Sequence, residues 1–410
     1  MKTIVKNSAG QPLRKKKIFW LSYLIFGHSN VVSQTEMVKC LSKDGADVYL
    51  FAVGTRRDSP RKSGARFILF PMKFVSIITP LLYMLALFVF MPFYTIVNNP
   101  DYIITDEGTA MIGFFLRLFL PKLKAKVVLD IRTTPITVRV RVLPLAVGFG
   151  IFRLFLNAFM FRVSTIMAKR KFDGMTILTN LMKEKVCREF NIKPEFVGVW
   201  HSGVSAELFN PENFDGMEIK KKLGLEDKFV IFYHGALGKY RGIDETIKSI
   251  GKLRDQFSEL VFFVLGQGWY EPYLKRLAKE IAVQDKIVFH KQVPYSEVPK
   301  YIAMSDVGIV PLPDLAIWRY QCPLKVIEYL SMKKVVIATD IPANREIIGE
   351  NRCGIYISSN DSEEIAKGIA FAYDNREKLS GWGSVGRDMI KDKYTWEKIA
   401  VDFENYLLSL

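Results

Sequence analysis

Short apolar, β-branched runs alternate with helical patterns along most of the 410-residue chain. Ile18–Leu24, Val48–Val53, Phe67–Phe70, Tyr102–Thr105 and Val127–Ile131 have the length and residue types of buried strands, and Met175–Thr179 and Val197–Trp200 continue the series. Val31–Lys43 and Leu178–Phe190 carry helical spacing, and Lys43–Asp47 supplies a turn between the first helix and the second strand. The second half restarts the alternation. Phe229–Tyr233, Leu260–Leu265, Ile287–His290, Val307–Val310 and Val335–Ile337 read as strands, with Ile243–Leu253 and Pro272–Ile281 as helices. This order predicts an α/β fold with two parallel sheets. The polar segment His201–Phe214 is the expected linker between the halves.

The expected organisation is a basic tail over 1–16, a first domain over 17–205 and a second over 206–392. An amphipathic helix, Trp396–Leu408, lies in the last segment, 393–410, and is expected to pack back towards the first domain.

Two apolar stretches stand out in the first domain. Phe74–Val97 contains no charge and is long enough by count to cross a bilayer, although Pro80 and Pro92 interrupt it. The second, about 143–168, includes Arg153 and runs into the basic Arg162 and Lys169–Lys171. Buried core helices, true spans and helices lying in the headgroup layer all fit such runs. Docking on the membrane is preferred to a span, because the flanking strands must join one sheet.

Charge sharpens this picture. A formal net charge of +16 attracts polyphosphates, nucleotides, anionic membranes or nucleic acid without choosing among them. The four cysteines lie far apart, with no metal-binding or disulfide spacing, and the four histidines are equally scattered. The start of the chain reads as a polar tail before a first strand, not as a signal peptide. A cytoplasmic protein held peripherally on the inner face of the cell membrane is the expectation. No nucleic-acid motif appears, so a nucleic-acid partner is not expected.

The most specific constellation is Cys322-Pro323-Leu324-Lys325-Val326-Ile327-Glu328-Tyr329-Leu330. Pro323 can open a helix, and the free N–H groups of Leu324 and Lys325 are then available to a diphosphate. Lys325 adds a full positive charge, and Glu328, one turn on, can accept two hydrogen bonds from a ribose diol. An ordinary helix start with a solvent-facing Lys–Glu pair fits the same residues. A second segment, Tyr233-His234-Gly235-Ala236-Leu237-Gly238-Lys239-Tyr240-Arg241-Gly242, follows a strand and opens a helix. Gly235 lets the backbone approach a ligand, and Arg241 can fork onto phosphate oxygens.

Together, in this order, these segments resemble the donor-site signature of the family 4 glycosyltransferases, which have the GT-B fold. Met332–Ala338 continues the match, and Ser202-Gly203-Val204-Ser205 resembles the family's interdomain segment. The resemblance implies two Rossmann-like domains with parallel sheets facing a central cleft, and retention of configuration at the anomeric carbon. It implies a UDP- or GDP-sugar as donor substrate, with no permanently bound cofactor. Glu328 falls where the family holds the donor ribose, and Leu324 and Lys325 where it meets the diphosphate. Tyr320 replaces an earlier glutamate of the pattern and Ala236 a frequent arginine, for which Lys239 can substitute.

The first domain is expected to carry the acceptor. Asp130 and Arg132, at a strand end, are candidates for positioning the acceptor hydroxyl or the sugar, with a local salt bridge as the alternative. Tyr320 and His28 join them as sugar-side candidates, and Gly27 as a donor contact. Arg241, Lys325 and Asp130 are the catalytic candidates. No Asp-x-Asp ends a strand, so no metal site is expected. The basic charge and apolar helices favour a lipid-linked or membrane glycan acceptor. A sugar-nucleotide epimerase, an inactive scaffold and a basic binding protein are the competing readings.

Overall fold

The computed structural model describes residues 13, 15–25, 32–54, 64–70, 78–132 and 149–410. The chain divides into two compact units, Met1–His201 with Trp396–Leu410, and Ser202–Thr395. The unit boundaries thus fall a few residues from the expected 205/206 and 392/393.

The first unit is built on seven parallel strands, β1 (Lys17–Ile25), β2 (Asp47–Val53), β3 (Arg66–Phe70), β4 (Tyr102–Thr105), β5 (Lys126–Ile131), β6 (Gly174–Ile177) and β7 (Val197–Val199). Their order is β3-β2-β1-β4-β5-β6-β7. Helices α1 (Val32–Lys43), α2 (Ile78–Asn98), α3 (Ala110–Phe119), α4 (Phe149–Lys171) and α5 (Asn180–Phe190) connect them. Helix α2 covers most of the apolar run anticipated at 74–97. Thr79, Tyr83, Leu87, Met91 and Thr95 recur every fourth residue and are buried, so one stripe of α2 seals against the sheet. Tyr83 meets Phe70 of β3, and Tyr94 meets Phe19 of β1 and Phe51 of β2. The second apolar stretch is α4 from Phe149 onward; its first part, 143–148, lies outside the described residues. The final helix, Trp396–Leu408, belongs to this unit. Its Phe403 ring lies 5.5 Å from Trp20 and 5.4 Å from Trp200.

The second unit holds six parallel strands, β8 (Phe229–Ala236), β9 (Leu260–Gln267), β10 (Ile287–His290), β11 (Val307–Val310), β12 (Val335–Thr339) and β13 (Gly354–Ile357), in the order β10-β9-β8-β11-β12-β13. Its helices are α6 (Gly216–Lys222), α7 (Ile243–Leu253), α8 (Glu271–Glu280), α9 (Val298–Met304), α10 (Ala316–Arg319), α11 (Leu324–Ser331), α12 (Pro342–Ile348), α13 (Ser362–Asp374) and α14 (Leu379–Lys393). The strand order reverses between β8 and β11. In sheets of this kind the ligand crevice opens at the carboxyl ends of the strands flanking that reversal.

The expected linker, His201–Phe214, contains the unit boundary, and from Ser202 onward it packs with the second unit. Phe209 is buried, and its carbonyl accepts hydrogen bonds from Ser331 Oγ (3.0 Å) and Arg387 Nη1 (3.3 Å). Arg387 Nη1 also reaches the Ser331 carbonyl at 2.6 Å, and Nη2 reaches Asn210 Oδ1 at 2.7 Å. One buried guanidinium therefore fastens 209–210 to the end of α11 and to α14. Arg387, far along the chain, holds the segment down.

Candidate donor site

The carboxyl end of β8 brings His234 and Gly235 to the point where the strand order reverses, and the start of α11 lies beside them. Pro323 caps α11 without a side-chain hydrogen bond, so the helix opens with Leu324 and Lys325 and the N–H groups of its first turn are not capped by a side chain.

Gly235 has φ 116°, a conformation that side chains rarely adopt. A Cβ placed there would stand 3.0 Å from Cε and 3.2 Å from Nζ of Lys325. The strand end and the lysine are therefore in van der Waals contact because position 235 has no side chain. Lys325 Nζ also lies 5.0 Å from the centre of the Tyr233 ring. Burial, helped by the neighbouring Arg241 charge and opposed by Glu328, pulls the Lys325 ammonium down to about 7. Such a lysine gains its charge fully when an anion arrives beside it.

Glu328 is buried on the inner side of α11. Its Oε1 accepts a hydrogen bond from Tyr295 Oη at 2.7 Å, and its Oε2 lies 3.2 Å from Nε2 of His234. Burial alone pushes this carboxyl up, but His234, the Tyr295 hydroxyl and Lys325 outweigh it and hold it below the usual range. The group is thus a fixed carboxylate, and each oxygen has a lone pair left for a further donor. The solvent-facing Lys–Glu pair that the sequence also allowed is excluded by this burial.

The loop after β8 supplies the other cations. The guanidinium carbon of Arg241 sits 4.4 Å from the centre of the Trp318 ring, a cation–π contact. Gly242 follows at φ 72°, and a Cβ there would fall 1.9 Å from the carbonyl oxygen of Pro311, so only glycine lets the loop pass β11's end. Lys239 is exposed, with Nζ 5.2 Å from the Tyr240 ring. Tyr320 is half-buried and closes α10.

The structure thus brings Gly235, Arg241, Leu324, Lys325 and Glu328 to one strand end and one helix start, while Lys239 stands exposed in the same loop. It adds His234, Tyr295 and Trp318, to which sequence reasoning assigned no role. A histidine immediately before the loop glycine was the available signal for the first. Tyr295 and Trp318 carry none, because their relation to the site arises only on packing. Among the described residues no group of three His, Cys, Asp or Glu side chains is placed to hold a metal ion.

Asp130, the catalytic candidate of the first unit, is held by neighbouring strands. Its side chain is fully buried in the first unit, where Oδ1 accepts hydrogen bonds from Thr176 Oγ1 (2.8 Å) and Trp200 Nε1 (2.9 Å). It fastens β5 to β6 and to the residue after β7. Arg132 serves the same anchor: its guanidinium lies 3.5 Å from the Trp200 ring centre and Nη1 donates to the Trp200 carbonyl at 2.6 Å. Gly27 and His28 lie outside the described residues.

Two parallel α/β units of this kind define the GT-B fold. The protein Alr3699/HepE of Anabaena, solved in complex with UDP, superposes with a TM-score of 0.75 at 14% identity, over 96% of this chain and 100% of that one. WaaG, a glycosyltransferase involved in lipopolysaccharide biosynthesis, gives 0.70 at 14% identity, over 95% and 98%. Residues 215–389, most of the second unit, match the model of the family described as Glycosyl transferases group 1. In sequence, the chain is 21% identical over 207 residues to the GDP-mannose-dependent alpha-(1-6)-phosphatidylinositol monomannoside mannosyltransferase of Mycobacterium tuberculosis. That match covers 50% of this chain and 54% of the relative, so the chain spans about half the length of this curated relative.

Proposed function

We propose that this chain is a retaining glycosyltransferase that moves a sugar from a nucleoside-diphosphate sugar to a lipid-linked acceptor. The observation that carries the donor half is the meeting of Lys325, Gly235 and a buried, ionised Glu328 at the strand-order reversal of the second unit. The family match over 215–389 supports it.

In this reading the α11 start, Lys325 and Arg241 hold the diphosphate, while Glu328 accepts hydrogen bonds from the ribose hydroxyls. The bond from the anomeric carbon to the diphosphate oxygen breaks with its electron pair staying on that oxygen. Lys325, Arg241 and the helix dipole stabilise the charge that accumulates there. The acceptor hydroxyl attacks the anomeric carbon from the face the diphosphate leaves, and its proton passes to the departing phosphate oxygen. Charge stabilisation is assigned to protein groups, which is the metal-independent form of the reaction.

The acceptor half rests on the exposed apolar helices of the first unit and on relatives whose names place them on phosphatidylinositol mannosides or in lipopolysaccharide biosynthesis. A lipid-linked saccharide or glycolipid, met at the inner face of the cell membrane in surface glycan assembly, fits both.

Calorimetric titration of UDP and of GDP into wild type and Glu328→Ala tests the donor site. Micromolar to low-millimolar binding of one nucleotide, weakened in the variant, is expected and selects the base. Equal binding by the variant, or binding of neither nucleotide by the wild type, overturns the assignment.

A further inference from the structure

Helix α3 packs against α2 on one side and α4 on the other, with Phe88 and Phe115 in edge contact at 5.0 Å. The side of this layer turned away from the sheet is apolar. On α2, Val89 and Phe93 are 71% and 69% exposed; Leu118 and Phe119 on α3 and Leu156 and Phe159 on α4 extend the surface. Large side chains in such numbers on neighbouring helices exceed the scattered apolar residues of an ordinary protein surface.

The charge on the same helices has one sign. None of α2, α3 and α4 contains an aspartate or glutamate. Exposed Lys122 and Lys124 follow α3, and exposed Arg170 and Lys171 end α4. An apolar face with cations at the ends of its helices matches a layer of acyl chains beneath anionic headgroups. A second copy of the same face would bring cations against cations.

We propose that the α2–α3–α4 face docks on the anionic surface of a lipid bilayer, with α2 lying along the headgroup layer and not across it. By length and composition Leu81–Asn98 is sufficient for a span. Its place in the fold rules that out. It connects β3 to β4 of one sheet, and its buried stripe from Thr79 to Thr95 is sealed against that sheet over the helix's length. A spanning α2 would strip this stripe from its partners and carry the neighbouring strands into the membrane.

This proposal is independent of the donor site, and its test keeps the two apart. The full-length chain is floated with vesicles of phosphatidylcholine alone and of phosphatidylcholine with phosphatidylglycerol. Two variants, V89D/F93D and K122E/K124E, are compared with wild type after thermal unfolding has shown that they fold. The wild type is expected to float with the anionic vesicles, about tenfold more than with neutral ones, and less as salt is raised. Each variant is expected to lose binding by about tenfold or more at an unchanged melting temperature. Absence of wild-type flotation, or variants that float like the wild type, overturns the proposal. So does a wild-type dimer that V89D/F93D dissociates without any vesicle binding, since the face then belongs to a second copy. Membrane attachment that survives alkaline carbonate and yields only to detergent overturns the in-plane placement. Vesicle binding without UDP or GDP binding would leave this docking intact and remove the donor reading.

Discussion

His234 Nε2 stands 3.2 Å from Glu328 Oε2, although 93 residues lie between the two in sequence, and both side chains are buried. The His234 ring is pinned edge-on against Tyr329 at 5.2 Å and lies over Phe232 at 5.8 Å, so it has little freedom to turn away. With Tyr295 on the other oxygen, the carboxylate assigned to the ribose is oriented before any nucleotide arrives.

His234→Leu removes one of those two restraints while keeping the volume apolar. A polar partner lost from a buried group costs about 1–3 kcal/mol, which corresponds to roughly tenfold or more in affinity. Nucleotide affinity should fall accordingly, and His234→Gln, which can still donate to the carboxylate, should recover most of it. Calorimetry on the two variants decides the matter. A leucine variant that binds as tightly as wild type would leave His234 a packing residue only.

Lys325 makes donor binding depend on pH. Its ammonium stands at about 7, lowered chiefly by burial, and a diphosphate beside it favours the charged form. Between pH 7 and 9 binding should therefore take up a proton, and affinity should fall as pH rises. Calorimetry in two buffers of different ionisation enthalpy measures the uptake, and Lys325→Gln should flatten the profile. A wild-type affinity constant across that range would contradict the assignment.

Asp130 carries a different pH signature. Burial, opposed mainly by Arg132, raises its carboxyl from 3.8 to about 6. Its ionised form is therefore disfavoured by folding: the cost is fully present above about 6 and disappears below the unfolded value. That cost is on the order of 3 kcal/mol at neutral pH. Asp130→Asn keeps the oxygen that Thr176 and Trp200 use and removes the charge. It should melt no lower than wild type at pH 7.5, lose stability dependence between pH 4 and 6, and change turnover less than about threefold. A turnover loss of several orders of magnitude would place Asp130 in the catalytic set.

Arg387 should matter to stability alone. Replacing it with methionine leaves the Ser331 carbonyl and Asn210 Oδ1 without their buried donor, and the Phe209 carbonyl with Ser331 Oγ alone. The expected loss is about 2–4 kcal/mol, or roughly 5–10 °C in the melting temperature of this unit. Scanning calorimetry checks it. An unchanged melting temperature would mean that 209–210 is held by Phe209 packing and not by the guanidinium.

The sequence by itself determined the alternation of strands and helices and the two-sheet division, because strand and helix periods are local and appear in consecutive residues. It also located the helix start at Pro323 and the cations Lys325 and Arg241, since a contiguous motif needs no packing to be read. What it could not contain were relations between distant segments. His234 and Tyr295 reach Glu328 only once β8, α11 and the loop before α9 are packed together, and Arg387 reaches Phe209 only through α14. Asp130 reads the same whether its strand end faces solvent or is covered. The neighbouring strands β6 and β7, with Trp200, decide that it is covered. On α2 the composition is apolar all round, so nothing in it distinguishes a core helix from a membrane helix. The tertiary structure makes the distinction: the sheet takes every fourth residue from Thr79 to Thr95 and leaves Val89 and Phe93 uncovered, because a helix can press only one side against a sheet.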